Sequence, residues 1–350
     1  MTSVVHLTSA SVSVVVDVAS GIPTILHWGA ALGDADVPEA WSPHLVTWGA
    51  IDVVAPISVL PMHGDGFPGR PGLQGHRRGG RHWSPRFTAA GHSVHVHDGS
   101  TTLTCEALDD VAQLAVVTSL VLHADGVLTV DARLHNRGDS PYMVDSFCLS
   151  LPLPTNASEL GVFAGRWSRE FSLMRMDWPW GAWTSENRRG RTSHEHPPYV
   201  FAFERGAGEW SGAVWGVHAA HSGNGVMYAE RLADERRHIS GGELLHPGEL
   251  CVYPGEHIDA VQLIGVHSDN GLTPASWGFH REARRRYPRV RSARPVQLNT
   301  WEAVYFSHDM QRLMALADVA AAVGIERFVL DDGWFGGRRN DRAGLGDWVV

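Results

Sequence analysis

A chain of 350 residues with 43% hydrophobic and 19% charged residues has the balance of packed globular protein and is long enough for two domains. Its formal net charge of −9 argues against a nucleic-acid partner, which requires clustered Lys and Arg, and favours neutral, hydroxyl-rich ligands. No run reaches the roughly 18 to 20 uncharged apolar residues of a membrane span, so no membrane partner is expected.

The first 18 residues alternate polar and β-branched side chains and lack the basic start and small-residue cleavage site of a secretory signal. They read as a strand, and the chain as cytoplasmic. Cys105, Cys148 and Cys251 are widely spaced and fit neither a CxxC redox motif nor a zinc pattern, which leaves free thiols in a reducing compartment. Up to about residue 280, short apolar runs alternate with Gly, Pro, Asn and Asp. Leu114–Leu122, Val127–Leu134 and Ala213–Val217 are strand-like, with turns at Ala124-Asp-Gly126 and Arg137-Gly-Asp139. This grammar predicts an antiparallel two-sheet sandwich. Gly64–Arg81 holds seven glycines and is expected to be an exposed loop. His95-Val-His97 and His194-Glu-His196 have the one-face spacing of metal ligands on a strand, but both pairs fall inside the sandwich.

The pattern changes near residue 275. Trp277–Arg286 reads as an amphipathic basic helix with a solvated face, ended by Tyr287-Pro288. Pro295–Ala303 is strand-like, His308–Ala322 has helical spacing capped by Gly324, and Arg327–Asp331 is a second strand. A strand, helix, strand unit with active groups at its strand ends belongs to a parallel barrel or a doubly wound sheet.

The second of these strands delivers Asp331, Asp332, Gly333 and Trp334 to its end. Carboxylates accept paired hydrogen bonds from vicinal hydroxyls, and an aromatic face covers the C–H face of a sugar ring. Neighbouring strand residues point to opposite faces, so the two aspartates do not form a catalytic pair flanking one glycosidic bond. The competing reading is a turn-forming Asp-Asp-Gly without a ligand. Trp301 stands between sugar platform and core, as does Trp334, and Glu302 reads as an inward charge met by an Arg or a backbone donor.

Arg294–Ala303, Arg327–Arg339 and Gly344–Trp348, with Arg189–His196, Val214–His218, Ser222–Asn224 and the His246-Pro-Gly-Glu-Leu run, resemble the bacterial α-galactosidases of glycoside hydrolase family 36. Ser307 and Asn340 stand where that family's pattern has acidic residues. The resemblance implies an N-terminal β-supersandwich over residues 1–280, a helical linker over 281–293, and over 294–350 the first two strands and first helix of a (β/α)8 TIM barrel, truncated. It further implies retaining hydrolysis of terminal α-D-galactosides of the melibiose and raffinose type, with an Asp nucleophile and an Asp acid/base. Both are expected beyond Val350, so the 350 residues alone are expected to be an inactive fragment. By resemblance, Asp331, Asp332, Trp301 and Trp334 bind substrate. No metal or cofactor is implied, and homotetramers fit the family. A non-catalytic sugar-binding or assembly protein, and a galactosyltransferase of the raffinose or stachyose synthase type, remain alternatives.

Overall fold

The structure is a computed structural model that describes residues 3–33, 54–287 and 294–350. The chain divides into two compact units, Met1–Arg286 and Tyr287–Val350.

In the first unit, β1 (Val4–Thr8), β2 (Val12–Asp17) and β3 (Thr24–Ala30) make an antiparallel three-stranded sheet. Then follow β4 (Leu73–His76), β5 (Thr88–His97), β6 (Ser100–Asp109), β7 (Leu114–Leu122), β8 (Leu128–Asn136) and β9 (Tyr142–Leu153). After these come β10 (Ala157–Arg166), β11 (Arg169–Asp177), β12 (Gly181–Asn187), β13 (Tyr199–Glu204), β14 (Val214–Ala219) and β15 (Gly225–Arg231). β16 (Arg237–Glu243), β17 (Leu250–Val252), β18 (His257–Asp259) and β19 (Leu263–Ser268) complete the strands of this unit among the described residues, and α1 (Leu272–Arg286) closes it. Among the described residues, ten strands form one sheet in the order β11-β10-β13-β14-β19-β8-β7-β6-β5, with β18 also on β8. Six form another in the order β12-β15-β16-β9-β17, with β4 also on β9.

The sequence pattern explains the layering. Along β7 the side chains of Leu114, Val116, Thr118, Leu120 and Leu122 are buried while those between them stay half-exposed, the period-2 signature of a sheet with one covered face. Gly126, at φ +84°, makes the turn into β8. The main apolar cluster takes Val14 and Trp28 from the three-stranded sheet, Leu120 and Leu134 from the ten-stranded sheet, and Leu149 and Ile239 from the six-stranded one. Each fully buried Val or Leu side chain contributes about 1.5–3 kcal/mol. Gly265 is required here, because a Cβ on it would stand 2.7 Å from the Trp28 ring, whose backbone carbonyl accepts a 3.0 Å bond from the Trp215 indole. The sandwich-like, mostly β architecture therefore follows from alternation and turns.

Gly64–Arg81 is not the exposed loop its composition suggests. β4 lies inside it and pairs with β9, and Phe67, Leu73 and Arg77 are buried. Gly72 and Gly75 permit close approach: a Cβ would meet the Cys148 carbonyl at 2.6 Å and the Met143 carbonyl at 2.4 Å. Cys105 and Cys148 are buried and Cys251 half-buried, all as free thiols. Burial pushes the Cys105 thiol up to about 11. α1 begins five residues earlier than the basic pattern indicates, and its arginines are not simply solvated: Arg285 and Arg286 both bind the buried Glu282, and Arg285 also binds Asp125 at 2.7 Å.

In the second unit, β20 (Gln297–Asn299) and β21 (Arg327–Val329) pair in parallel, Gln297 opposite Arg327 and Asn299 opposite Val329. Between them lie α2 (Trp301–Val304) and α3 (Met310–Ala322). The Asp309 carboxylate caps α3 by accepting from the Arg312 amide at 2.8 Å. Gly324, at φ +88°, ends the helical segment. The first strand is shorter than the 295–303 expected, since the chain turns helical at Trp301. Leu313 and Ala320 are the buried positions of α3, whereas Met310, Met314 and Val319 are exposed.

Candidate sugar-binding site

The site is built where two parallel strands end side by side. β20 ends at Asn299 and the chain passes on through the fully buried Thr300, whose amide donates to the Val329 carbonyl at 3.0 Å. Its hydroxyl in turn accepts from the Asp331 amide at 3.2 Å. The Asn299 side-chain amide donates to Asp331 Oδ2 at 2.5 Å, and Asp331 Oδ1 accepts the Asp332 amide at 2.7 Å. Asp331 is thus fixed by groups next to β20 as well as by its own strand. Gly333, at φ +99°, then turns the chain away, a conformation that disfavours any side chain.

Asp332 is held differently. Arg338 returns six residues later and grips it with both arms of its guanidinium, Nε to Oδ1 at 2.8 Å and Nη2 to Oδ2 at 2.6 Å. This paired donation holds the Asp332 carboxyl below the usual carboxylate range and keeps it ionised. Arg338 also donates to the Ala343 carbonyl at 2.9 Å and lies over the Phe306 ring at 5.4 Å. Both carboxylates are therefore preoriented, with remaining lone pairs that can accept hydroxyl donors.

The aromatic rings of this segment form two groups. Trp301 meets Tyr305 and Phe306 edge-on at 5.2 and 5.1 Å. Trp334 packs on Phe335 at 5.0 Å and lies 6.2 Å from Trp348. Trp301 and Trp334 are half-buried, leaving part of each indole open. Glu302 is exposed on α2 and accepts from the Tyr305 hydroxyl at 3.2 Å, so it is not the inward, Arg-satisfied charge that a strand would have made of it. Asn299, Thr300, Phe306 and Arg338 escape sequence reasoning. Only Asn299 left a signal, since parallel pairing of the two strands sets it beside the residues leading into Asp331.

The histidine pairs lie elsewhere. His95 and His97 are exposed on β5, and His196 lines a very small cleft with Ser185, Asn187 and Thr192. Among the described residues no group of three or more His, Cys, Asp or Glu is arranged to hold a metal ion. No helix of the described residues is long and apolar enough to cross a membrane.

A fold of antiparallel sheets joined to a parallel strand pair that ends in paired acids and indoles is the form of a carbohydrate-active protein. The chain belongs to glycoside hydrolase family 36: residues 21–251 match the glycosyl hydrolase family 36 N-terminal domain, and residues 258–350 match melibiase. It is 39% identical over 330 residues to an alpha-galactosidase of Escherichia coli, an alignment covering 93% of this chain and 46% of that protein. Alpha-galactosidase AgaA of Geobacillus stearothermophilus is 34% identical over 230 residues, 64% of this chain and 31% of that one. The crystal structure of AgaA superposes with a TM-score of 0.88 at 27% identity, covering 99% of this chain and 52% of AgaA. A variant of AgaA has been solved in complex with stachyose, with a TM-score of 0.87 to this chain. The chain spans about half the length, or less, of the relatives it matches.

Proposed function

We propose that these residues serve an α-galactosidase, a retaining hydrolase of terminal non-reducing α-D-galactosides of the melibiose and raffinose type. The observation that carries the reading is the pair of preoriented carboxylates at the end of β21, set beside the strand end that leads into Trp301. Asp331 and Asp332 accept hydroxyls of the galactosyl group, while Trp301 and Trp334 cover its apolar face. The Asp nucleophile and the Asp acid/base of the double displacement lie in none of these 350 residues. In this reading residues 1–280 are a β-supersandwich, 281–293 a linker and 294–350 the opening β-α-β of a (β/α)8 barrel. The exposed Met310, Met314 and Val319 on α3 support further neighbours for that segment. A cytoplasmic location and assembly as a homotetramer complete the proposal.

The test is kinetic and uses an enzyme that carries the barrel in full. Asp331→Ala and Asp332→Ala should each lower kcat/KM on an aryl α-galactoside by roughly ten- to hundred-fold, the scale of a charged hydrogen bond to a hydroxyl. Discrimination against the matching α-glucoside, which differs at the axial 4-hydroxyl, should shrink in at least one of them. Unchanged kcat/KM in both single variants reduces Asp-Asp-Gly to a turn and defeats the proposal.

A further inference from the structure

The fold brings together two histidines that the sequence keeps apart. His135 on β8 and His257 on β18 stand directly opposite each other in an antiparallel pair. Residues so paired share a face of the sheet. Here it is the face turned away from the core, since Leu134, between Arg133 and His135, is fully buried, while His135 is half-buried and His257 exposed. The two imidazoles lie with ring centroids 5.2 Å apart and planes tilted by 39°.

This spacing is that of two ligands on one metal ion. Zinc–nitrogen bonds of about 2.0–2.1 Å put the ion about 3.2 Å from each ring centroid, so two imidazoles on a tetrahedral zinc have centroids about 5.2 Å apart, against about 4.5 Å at a right angle. The register of β8 and β18 already holds the rings at the tetrahedral separation, and turning them in place brings one nitrogen of each to the ion. Burial first, then the positive charges of His257 and Arg133, lowers the His135 imidazole below its ordinary value, which leaves it a neutral donor at pH 7. The charges beside the pair offset each other. Asp259, opposite Arg133 and on the same face as His257, accepts from both arms of that guanidinium at 2.6 and 3.0 Å. With both oxygens engaged, Asp259 is not a third ligand, and the set stays at two.

We propose that His135 and His257 bind a divalent transition-metal ion of the zinc type, which clamps β18 to β8. Imidazole nitrogen suits zinc, copper and nickel alike, and tetrahedral spacing favours zinc among them. β18 is three residues long and, among the described residues, pairs with β8 alone. A metal bond from its first residue therefore reinforces a strand held by only three ladder positions. The ion's other positions are open to water, because His135 lines an open groove of about 500 Å³ with Ser119, Asp131 and Arg133. Two protein ligands with water in the remaining places make an exchangeable site filled at micromolar metal, unlike a closed structural zinc centre with four protein ligands.

Zinc chloride titrated calorimetrically into the untagged 350-residue chain at pH 7.5 tests this, together with diethyl pyrocarbonate modification of its histidines mapped by mass spectrometry. Saturating zinc should slow modification of His135 and His257 at least five-fold and leave His95 and His97, whose imidazoles sit two apart on one strand, unaffected. His257→Gln, at an exposed position, should weaken zinc binding at least ten-fold without moving the thermal midpoint measured in EDTA, and His135→Gln should weaken it as much. The double variant His95→Gln with His97→Gln should bind as the parent does. Zinc should also slow hydrogen exchange of the 257–259 amides at least three-fold. An affinity unchanged by His257→Gln overturns the proposal, as does protection from modification that falls on other histidines instead, or the absence of binding at about 1 mM zinc, well above the micromolar range expected.

Discussion

Replacing Arg77 by Met tests how the two large sheets are held together at one end. Arg77 is buried, the residue 6% exposed, and its guanidinium donates to the Ala112 carbonyl through Nε at 3.3 Å and Nη2 at 2.8 Å. Nη2 also reaches Asn136 Oδ1 at 2.8 Å, and Nη1 donates to the Ser140 carbonyl. One side chain thus links the end of β4 in the six-stranded sheet to the end of β8 in the ten-stranded sheet and to both flanking turns. Methionine fills most of the volume but donates nothing. The Ser140 carbonyl and Asn136 Oδ1 keep other donors, at 2.9 Å from Asn136 Nδ2 and 3.0 Å from the Gly138 amide. The Ala112 carbonyl loses both arms, which costs about 1–3 kcal/mol for a buried unsatisfied acceptor. With the charge-assisted bonds to the other two acceptors, the expected loss is about 3–4 kcal/mol. At an m-value of about 3 kcal/mol/M this moves the urea midpoint of the β-rich unit down by about 1 M, read by tryptophan fluorescence. Asn136→Ala combined with Arg77→Met should fall short of additivity by about 1–2 kcal/mol, because the two side chains bond each other and share the Ser140 carbonyl. A shift in Arg77→Met of less than about 0.5 kcal/mol, the scale of an ordinary surface substitution, refutes the assignment.

Burial, aided by the positive charge of Arg286, lowers the His218 imidazole to about 4. Above its unfolded value near 6.5 both states are neutral; between 6.5 and 4 only the unfolded state binds the proton, so stability falls with pH through that window, by up to about 3 kcal/mol. His218→Gln should flatten this fall in urea midpoints measured from pH 7 to 4, and an identical slope in the variant counts against the assignment. At the site, Arg338→Ala in an enzyme with the complete barrel should raise KM for an aryl α-galactoside at least ten-fold by releasing Asp332. Arg338→Lys should fall between, since an ammonium keeps the charge but not the two-armed grip. Equal KM in all three forms makes the Arg338 contact incidental.

How far the sequence carried depended on whether the physics was local. β7 declared itself through strict alternation, and its boundaries, Leu114 and Leu122, are those the pattern marks. The strand, helix, strand order of 294–331 was equally plain, although Trp301 enters a helix because the parallel strand it follows is only three residues long. The glycine-rich stretch misled because a glycine reads as a missing side chain, whereas Gly72 and Gly75 are places where another part of the chain comes too close for one. Arg77 could not be recognised as buried, since its acceptors lie 35 to 63 residues away in sequence.

The same distinction separates the two aspartates. Asp331 is positioned across the strand pair, through Asn299 and Thr300, so its place is set by the parallel register of β20 and β21. Asp332 is positioned by the turn that follows it, through an arginine that in sequence is merely one of two in Arg338-Arg339. Nothing in the motif tells those arginines apart; the fold does, burying Arg338 at 5% exposure over Phe306 while Arg339 stays outside. Two neighbouring acids thus answer to two different supports. Disturbing the strand ends acts on Asp331, and disturbing residues 333–348 acts on Asp332, so the sugar-recognition roles proposed for them are separable by substitutions that touch neither carboxylate.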